Sequence, residues 1–340
     1  VHLAQCDAAD LATWLHRVAP SEVIYSAEVS PAFEQHLKAL CAQAGIPMHV
    51  RAAWQFDATL GERKLIEHLQ VASLSAWHAT DVPQAHAACA ALLAYAEHTQ
   101  GRALTHVHGV QVLRDDALID LPLTTQRNLE LVQTLRGEDA PTLFSLLDTC
   151  MTGMGSRELK RWLLTPARDR SVAQRRLDAV AALQDPARSR AAASPYKGLR
   201  DALKGAGDVQ RIGARIALRQ VRPRELMALL SALGKAQQMQ PLVPVEATPQ
   251  ADALLPHLAQ HLLVPPECAD LIHRAIAPEP ALLVRDGGVI ADGFDAELDE
   301  LRGIQTNCDG FLLDLESRER TRTGIANLRV QFNKVHGFYI

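Results

Sequence analysis

Hydrophobic and polar positions alternate strictly near the end of the chain, where apolar residues stand at every second position from Leu328 through Val330 to Phe332. This period of two predicts a β-strand. The alternation changes parity after Lys334, between Asn333 and Gly337, which predicts a turn or bulge followed by a second strand. The returning strand would be about three residues long where the sequence stops, shorter than the usual five or so. We therefore expect the sequence to be a piece of a longer protein.

A helical period characterises residues 295–323, just before this hairpin. Its polar and charged ends fit the helix dipole, because the first turns are acidic and the last turns carry Arg318, Arg320 and Arg322. At 1.5 Å per residue the helix would extend about 40 Å. The seam with alternating steps of three and four consists of Leu298, Leu301, Gln305, Cys308, Leu312 and Leu315. The pattern predicts a long helix that carries positive charge toward the hairpin.

The first 106 residues alternate between strand and helix patterns. Residues 21–27 and 47–52 are typical of short strands, whereas residues 31–44 and 81–100 have helical spacing. Gly45 and Gly101 follow the two helices at positions where glycine commonly ends a helix. These patterns predict a small α/β domain over residues 1–106.

From residue 107 the pattern changes to helices punctuated by proline and glycine. Residues 142–148 and 156–164 read as helices on either side of Gly153-Met154-Gly155, which we interpret as a tight turn. A phosphate-binding loop is the alternative for these glycines, but the preceding strand and the lysine of such a loop are missing. The second helix is expected to stop at Thr165, before Pro166.

Three further local signals lie in the same part of the chain. Ser171 followed by Gln174 predicts a capping box for a helix that reaches residue 184. Pro223 has the pattern of a first-turn proline, which predicts a helix to about residue 239. The pair Gly287-Gly288 indicates backbone with positive φ.

Composition supports a mostly helical protein with more than one domain. A chain of 340 residues exceeds the size at which single cores stop growing, and two or three domains are expected. Hydrophobic residues make up 48% and aromatic residues only 4%, with many alanines and leucines. This mixture favours helices that pack through aliphatic contacts.

The cysteines predict neither a zinc site nor a disulfide framework, because they are far apart and form no C-x-x-C pair. Reduced thiols of this kind are typical of a cytosolic protein. No apolar run approaches the roughly 20 residues needed to cross a bilayer, so we expect a soluble protein. The six are Cys6, Cys41, Cys89, Cys150, Cys268 and Cys308.

Charge is distributed unevenly although the net charge is only −4. Residues 155–235 carry 18 basic and 7 acidic side chains, a balance of +11, and both flanking segments are acidic. Such a segment is compatible with a polyanionic partner such as nucleic acid, because Lys and Arg that neutralise phosphates release counterions. Solvated helix faces explain the same charges equally simply.

Five ordered motifs resemble bacterial MutS proteins, which recognise mismatches in DNA. Their order and spacing extend over residues 120–340, and the α/β segment before them resembles the connector domain of that family. The motifs are Thr125-Gln126-Arg127-Asn128-Leu129-Glu130-Leu131, Met154-Gly155-Ser156-Arg157-Glu158-Leu159-Lys160-Arg161-Trp162-Leu163, Arg222-Pro223-Arg224-Glu225-Leu226, Val284-Arg285-Asp286-Gly287-Gly288-Val289-Ile290-Ala291 and Phe332-Asn333-Lys334-Val335-His336-Gly337-Phe338-Tyr339-Ile340.

The resemblance implies a mostly α fold with a small α/β domain at the N-terminus, divided into three parts. Residues 1–106 would be an RNase-H-like connector, residues 107–292 the helical core, and residues 293–340 the lever helix with a partial clamp. The parent protein would be a homodimeric, cytoplasmic, nucleoid-associated ATPase that uses ATP and Mg²⁺. Its partners would be mismatched double-stranded DNA, MutL and a second MutS subunit.

Two features of that family do not occur in this sequence. The family reads mismatches with a Phe-x-Glu motif, whereas the nearest sequence here is Phe33-Glu34-Gln35. Its ATPase requires a G-x-x-x-x-G-K-[ST] loop, which is also missing. We therefore predict no catalytic, nucleotide-binding or metal-binding residues in this chain. The expected role is mechanical: to couple ATP-driven movements to closure of the DNA clamp and to recruitment of MutL.

The candidate DNA-backbone contacts lie near the hairpin. They are Arg329, Lys334, Asn333 and Arg322, of which Arg329 and Asn333 share a polar strand face opposite Leu328. A second basic group lies in the core, where Arg157, Lys160 and Arg161 stand three and four residues apart on one helix. For this ridge we favour salt bridges over proximity to DNA, and we expect the neighbouring Trp162 and Leu163 to pack.

Two other functions are open alternatives. The chain could be a non-catalytic interaction scaffold that binds repair partners through the connector, although a scaffold that ends inside a hairpin would leave an open strand edge. An RNase-H-like nuclease would need several carboxylates at strand ends, where the first strand offers only Ser26 and then Glu28. A metal site at His106 and His108 lacks a third ligand nearby and is disfavoured.

Overall fold

The computed structural model describes residues 1–105, 107–188, 194–245, 254–306, 308–333 and 337–339. These residues are predominantly helical, with a small α/β region at the N-terminus. This confirms the predicted fold class. None of the helices in the described part of the chain is long and apolar enough to cross a membrane.

The N-terminal α/β region contains four short strands that form two separate parallel pairs. Strand β1 pairs with β4, and β2 pairs with β3 in the register Val23 to Met48. Both strands predicted in this region are confirmed, as are the helix ends at Gly45 and Gly101, which have positive φ. The elements are β1 (His2–Ala4), α1 (Leu11–Val18), β2 (Val23–Ser26), α2 (Pro31–Ala44), β3 (Met48–Arg51), α3 (Ala58–Leu69), α4 (Pro83–Gln100) and β4 (Gln111–Leu113).

Helices α3 and α4 pack closely in the core of this region. Leu65 and Leu74 are fully buried there, and Cys89 of α4 is also buried. Gly61 makes the close approach possible, because a Cβ atom at this position would lie 2.5 Å from the carbonyl carbon of His86 and closer still to its oxygen. The buried His86 side chain donates from Nε2 to the carbonyl oxygen of Ala79.

Nine helices follow in the described residues up to Ala275. The helix that starts at Pro223 and ends at Met239 confirms the first-turn proline, and α7 ends at Leu164 before Thr165, as predicted. They are α5 (Leu123–Asn128), α6 (Leu143–Leu147), α7 (Gly153–Leu164), α8 (Arg170–Gln184), α9 (Pro195–Leu203), α10 (Val209–Ala217), α11 (Pro223–Met239), α12 (Leu254–His261) and α13 (Pro266–Ala275).

The capping box predicted at Ser171 is wrong, because the N-cap of α8 lies two residues earlier. Asp169 is the N-cap, and its carboxylate accepts from the backbone N–H of Ser171 at 2.9 Å and from the Ser171 hydroxyl at 2.6 Å. Gln174 instead donates to Asp178 at 2.8 Å. Asp and Ser are about equally good N-caps, and the Asp169 carboxylate at this position also accepts both bonds at once and lies at the positive end of the helix dipole.

The turn predicted at Gly153-Met154-Gly155 is also wrong, because these residues form the first turn of α7. Thr152 is the N-cap, and its hydroxyl accepts from the N–H of Gly155 at 3.1 Å. A Cβ at Gly155 would lie 3.2 Å from the Cβ of Cys150, a tight contact, so glycine eases the packing at the start of this helix. The N–H of Gly155 is bonded to Thr152 and is not available for a phosphate.

The described residues divide into two compact units: residues 1–221 with 231–264, and residues 222–230 with 265–340. In the second unit, Ile276 bridges to Ile290 in antiparallel fashion, and Ile272 and Val289 are buried. Gly287 and Gly288 have φ angles of 74° and 63°, as predicted. Its remaining elements are α14 (Ala296–Thr306), α15 (Cys308–Thr323), β5 (Gln331–Asn333) and β6 (Gly337–Tyr339).

The predicted long helix is present on both sides of residue 307, which lies outside the described residues. Asp295 caps α14 by accepting from the N–H of Leu298 at 2.9 Å. Of the predicted seam, Leu298, Leu312 and Leu315 are half-buried, whereas Leu301 is 58% exposed.

Candidate nucleic-acid interface

The hairpin that follows α15 is the first part of the candidate interface. Helix α15 ends at Thr323, and Gly324 turns the chain with a φ of 74°. Strands β5 and β6 then pair antiparallel, with Phe332 opposite Phe338. The predicted hairpin is thus confirmed, and residues 334–336 between its strands lie outside the described residues.

A carboxylate and a guanidinium on α15 fasten the segment that leads into β5. The Nε atom of Arg320 donates to the carbonyl oxygen of Leu328 at 2.7 Å, and the N–H of Val330 donates to Glu316 at 2.8 Å. Arg320 and Glu316 also pair with each other at 3.0 Å. Hydrogen bonds to charged groups are stronger than those between neutral groups. This segment is therefore held against the helix on both sides of residue 329.

Sequence reasoning did not single out Glu316 and Arg320 as the residues that orient the hairpin. Their spacing of four residues indicates a helical ion pair, but such a pair is common and usually weak on a surface. What distinguishes this one is that Glu316 is mostly buried and bonds to the backbone of a later segment. Only the tertiary contact shows that role.

Arg329 lies on the exposed side of the fastened segment, between the half-buried Leu328 and Val330. No hydrogen bond or ion pair joins its side chain to any residue whose side chain the structure describes. Arg322 is also exposed, but it pairs with Glu319 at 2.6 Å, and this contact raises the pKa of its guanidinium. Of these two arginines, Arg329 is therefore the one whose charge is less neutralised by the described residues.

The other two candidate DNA contacts, Asn333 and Lys334, are only partly described by the structure. Asn333 is the last residue of β5, and its side chain is not among those described. Lys334 lies outside the described residues, as does His336. Gln331 occupies the face of Arg329 and accepts from the hydroxyl of Tyr339 on β6 at 2.9 Å. The exposed Tyr339 thus lies on the same polar face as Gln331. The sequence did not indicate this, because the alternation changes parity near Gly337.

The basic ridge on α7 forms salt bridges, as predicted. Arg157 binds Asp208 with two hydrogen bonds of 2.7 and 2.9 Å and also reaches Gln210, while Arg161 pairs with Glu158. The Arg157 guanidinium lowers the pKa of Asp208, and the Arg161 guanidinium lowers the pKa of Glu158. Two of the three ridge charges are therefore compensated within the protein.

Trp162 packs against charged groups and not in an apolar core. Its indole N–H donates to Glu158, and the guanidinium of Arg176 on α8 lies over the ring at 3.8 Å from its centroid. Burial lowers the pKa of Arg176, with a further decrease from the charge of Arg161. Glu158 thereby connects Arg161 and Trp162, and the stacked Arg176 joins α7 to α8.

Asp208 is expected to stabilise this part of the chain through two bonds at once. It is the N-cap of α10, accepting from the N–H of Arg211, and it binds Arg157 of α7. We expect Asp208→Ala to lower the free energy of unfolding by about 1–2 kcal/mol. Urea unfolding followed by circular dichroism measures this difference.

The pH dependence of that difference has a definite sign. Because the folded-state pKa of Asp208 is lowered, its contribution is complete at neutral pH and above the ordinary carboxyl value of about 3.9, and is lost as the pH falls through the folded-state pKa. Asp201→Ala, on the exposed surface of α9, is the matched control and should change stability by less than about 0.5 kcal/mol. Equal losses in the two variants would contradict the bridging role.

No group of three or more potential metal-binding side chains converges within the described residues. The described cysteines form no disulfide, and burial raises the pKa of Cys89 to about 11, which keeps this thiol protonated at neutral pH. His106, one of the two histidines weighed as a metal site, lies outside the described residues.

The fold and the candidate interface first define a class: a predominantly helical protein with an α/β region at one end of the sequence and, at the other, a helix that carries an anchored hairpin. Residues 1–108 match the family model described as MutS domain II, and residues 124–337 match the model described as MutS domain III. The second match covers more than half of the chain. The chain belongs to the MutS family of DNA mismatch repair proteins.

Proposed function

We propose that this chain is the force-transmitting part of a MutS-type mismatch repair ATPase. Residues 1–106 act as the connector, residues 107–292 as the core, and residues 293–340 as the lever helix with the first strands of the clamp. ATP-driven movements of the parent protein pass through the core and the lever to close the clamp on the DNA backbone. Movement of the connector recruits MutL.

The observation that carries this proposal is the fastening of the hairpin to α15. Because Arg320 and Glu316 bind the backbone on both sides of residue 329, the segment cannot move independently of the helix without breaking two charge-assisted bonds. A rotation of the helix is therefore transmitted to the hairpin. As the hairpin moves, the exposed Arg329 approaches or leaves a phosphate of the DNA backbone.

ATP, Mg²⁺ and the second subunit belong to the parent protein in this proposal. The first turn of α7 does not fit a nucleotide, because Thr152 already accepts from Gly155 and the Ser156 hydroxyl already donates to Asp148. No step of the ATPase reaction is assigned to residues 1–340. What this chain contributes is the connection between the motor, the clamp and MutL.

Arg329→Ala is expected to weaken binding of duplex DNA by the parent protein about three- to tenfold at physiological salt. Because one phosphate contact is lost, the slope of log K against log salt should become shallower by about one, equally for matched and mismatched duplexes. Arg322→Ala should have a smaller effect, since Glu319 already compensates its charge. Fluorescence anisotropy over a series of salt concentrations measures both quantities.

Arg63→Ala is the control, because it also removes an exposed arginine, but from the connector region. Its affinity and salt slope should equal those of the unchanged protein. An Arg329 variant with an unchanged slope would reject the phosphate contact. If residues 1–340 still bound MutL in that case, the scaffold function would account better for this chain.

A further inference from the structure

The side chain of Gln126 on α5 is almost completely buried, with 2% of its surface exposed, and both ends of its amide are bonded. Its Nε2 donates to the carbonyl oxygen of Leu121 at 2.7 Å. Its Oε1 lies 3.0 Å from Nδ1 of His16. Because an amide oxygen can only accept, Nδ1 of His16 carries the proton in this bond.

His16 belongs to α1 and therefore to the part of the chain that matches MutS domain II. Gln126 belongs to the part that matches MutS domain III. The bond joins residues 110 positions apart in the sequence. It is a direct side-chain connection between the two family domains. The pairing of β1 with β4 and the bond from the Val1 ammonium to Gly109 lie before the second matched region.

The electrostatic surroundings of the His16 imidazole are positive. The charges of Lys160 on α7 and Arg127 on α5 act on it, and no acidic side chain among the described residues is one of the causes of its pKa shift. Burial is the largest cause and lowers the pKa of His16. The bond to Gln126 partly offsets this decrease, and the charges of Lys160 and Arg127 lower the pKa further. Protonation of His16 is thus unfavourable while α1 is docked on α5.

We propose that the His16–Gln126 bond is a latch and that Gln126 is the positioning residue that fixes the connector on the core. When the latch opens, α1 separates from α5 while both domains stay folded. The inference rests on the proposed function, because it names the contact through which connector and core would exchange their movements.

Hydrogen exchange of α1 in the 340-residue chain tests the latch. Gln126→Met keeps the size of the side chain but leaves His16 and the Leu121 carbonyl without their partner. We expect the protection factors of the α1 amides to fall about tenfold, while those of α2 and of the α3–α4 core remain unchanged. An equal fall in all of these helices would mean a general loss of stability and would overturn the latch.

His16→Gln supplies a readout that a purely structural role would not change. A glutamine amide donates to Gln126 but does not titrate, so α1 should remain protected. In the unchanged chain the docked state binds fewer protons than the open state, so protection of α1 should decrease as the pH falls through about 6.5, the ordinary histidine value. His16→Gln should remove this decrease.

His36→Gln is the control, because His36 is an exposed histidine on α2. This variant should retain the pH dependence of α1 protection. If His16→Gln retained it as well, or if Gln126→Met left α1 fully protected, the latch would be rejected. The experiment contains no DNA, ATP or MutL, so its result is independent of the test of Arg329.

Discussion

Gly61→Ala is expected to destabilise the N-terminal α/β region by about 3 kcal/mol or more. The added methyl group would lie 2.5 Å from the carbonyl carbon of His86 and 3.0 Å from the backbone nitrogen of Ala87. Both atoms belong to the backbone of α4, which cannot rotate away as a flexible side chain can. The two helices would have to separate, and the buried contacts of Leu65 and Cys89 would loosen.

Hydrogen exchange of α3 and α4 during urea titration measures this loss in the affected region. A regional readout is needed because a chain with two compact units does not guarantee a single two-state transition. Gly213→Ala is the matched control, since Gly213 lies exposed in α10 with no atom within 4 Å of the added carbon. It should stabilise its helix by up to about 1 kcal/mol, because alanine has the higher helix propensity. If Gly61→Ala and Gly213→Ala changed stability in the same direction, the packing argument would be contradicted.

Leu164→Ala is expected to cost about 2–4 kcal/mol in the helical part of the chain. Leu164 is 3% exposed at the end of α7, where it packs with Leu131, Val132 and Phe144. Truncation would remove buried methyl groups and leave a cavity that the rigid surroundings fill only partly. The cost should appear as a lower urea midpoint with an unchanged dependence on urea concentration.

Leu146→Ala is the control for this truncation. It makes the same chemical change on α6, but its side chain is 76% exposed. The expected loss is below about 0.5 kcal/mol. If Leu146→Ala were as costly as Leu164→Ala, the small cluster around Leu164 would not be a core.

The sequence predicted those elements whose signals are local. The helix from Pro31 to Ala44 ends at Gly45, and the helix from Pro223 to Met239 begins at its proline, because these residues constrain the backbone at their own positions. Alternation from Leu328 to Phe332 predicted the hairpin for the same reason. The motifs, such as Arg222-Pro223-Arg224-Glu225-Leu226, indicated the family before any contact was known.

Local signals failed where two solutions were chemically possible. Ser171 and Asp169 are both good helix caps, and only the course of the backbone decided for the carboxylate. Gly153 and Gly155 fit a turn or a tightly packed helix start, and the nearby Cys150 decided for the helix. In each case the choice depended on where a neighbouring segment lay.

The sequence by itself determined the family, the helices and strands that have strong local signals, and the presence of arginines near the hairpin, because these depend on residue identity and short spacing. Tertiary structure alone decided that Arg322 is paired while no described residue pairs with Arg329, how Glu316 and Arg320 hold the hairpin, and that Gln126 meets His16 across 110 residues. Such contacts depend on distance in space between residues remote in sequence. A single sequence carries no periodic signal for them.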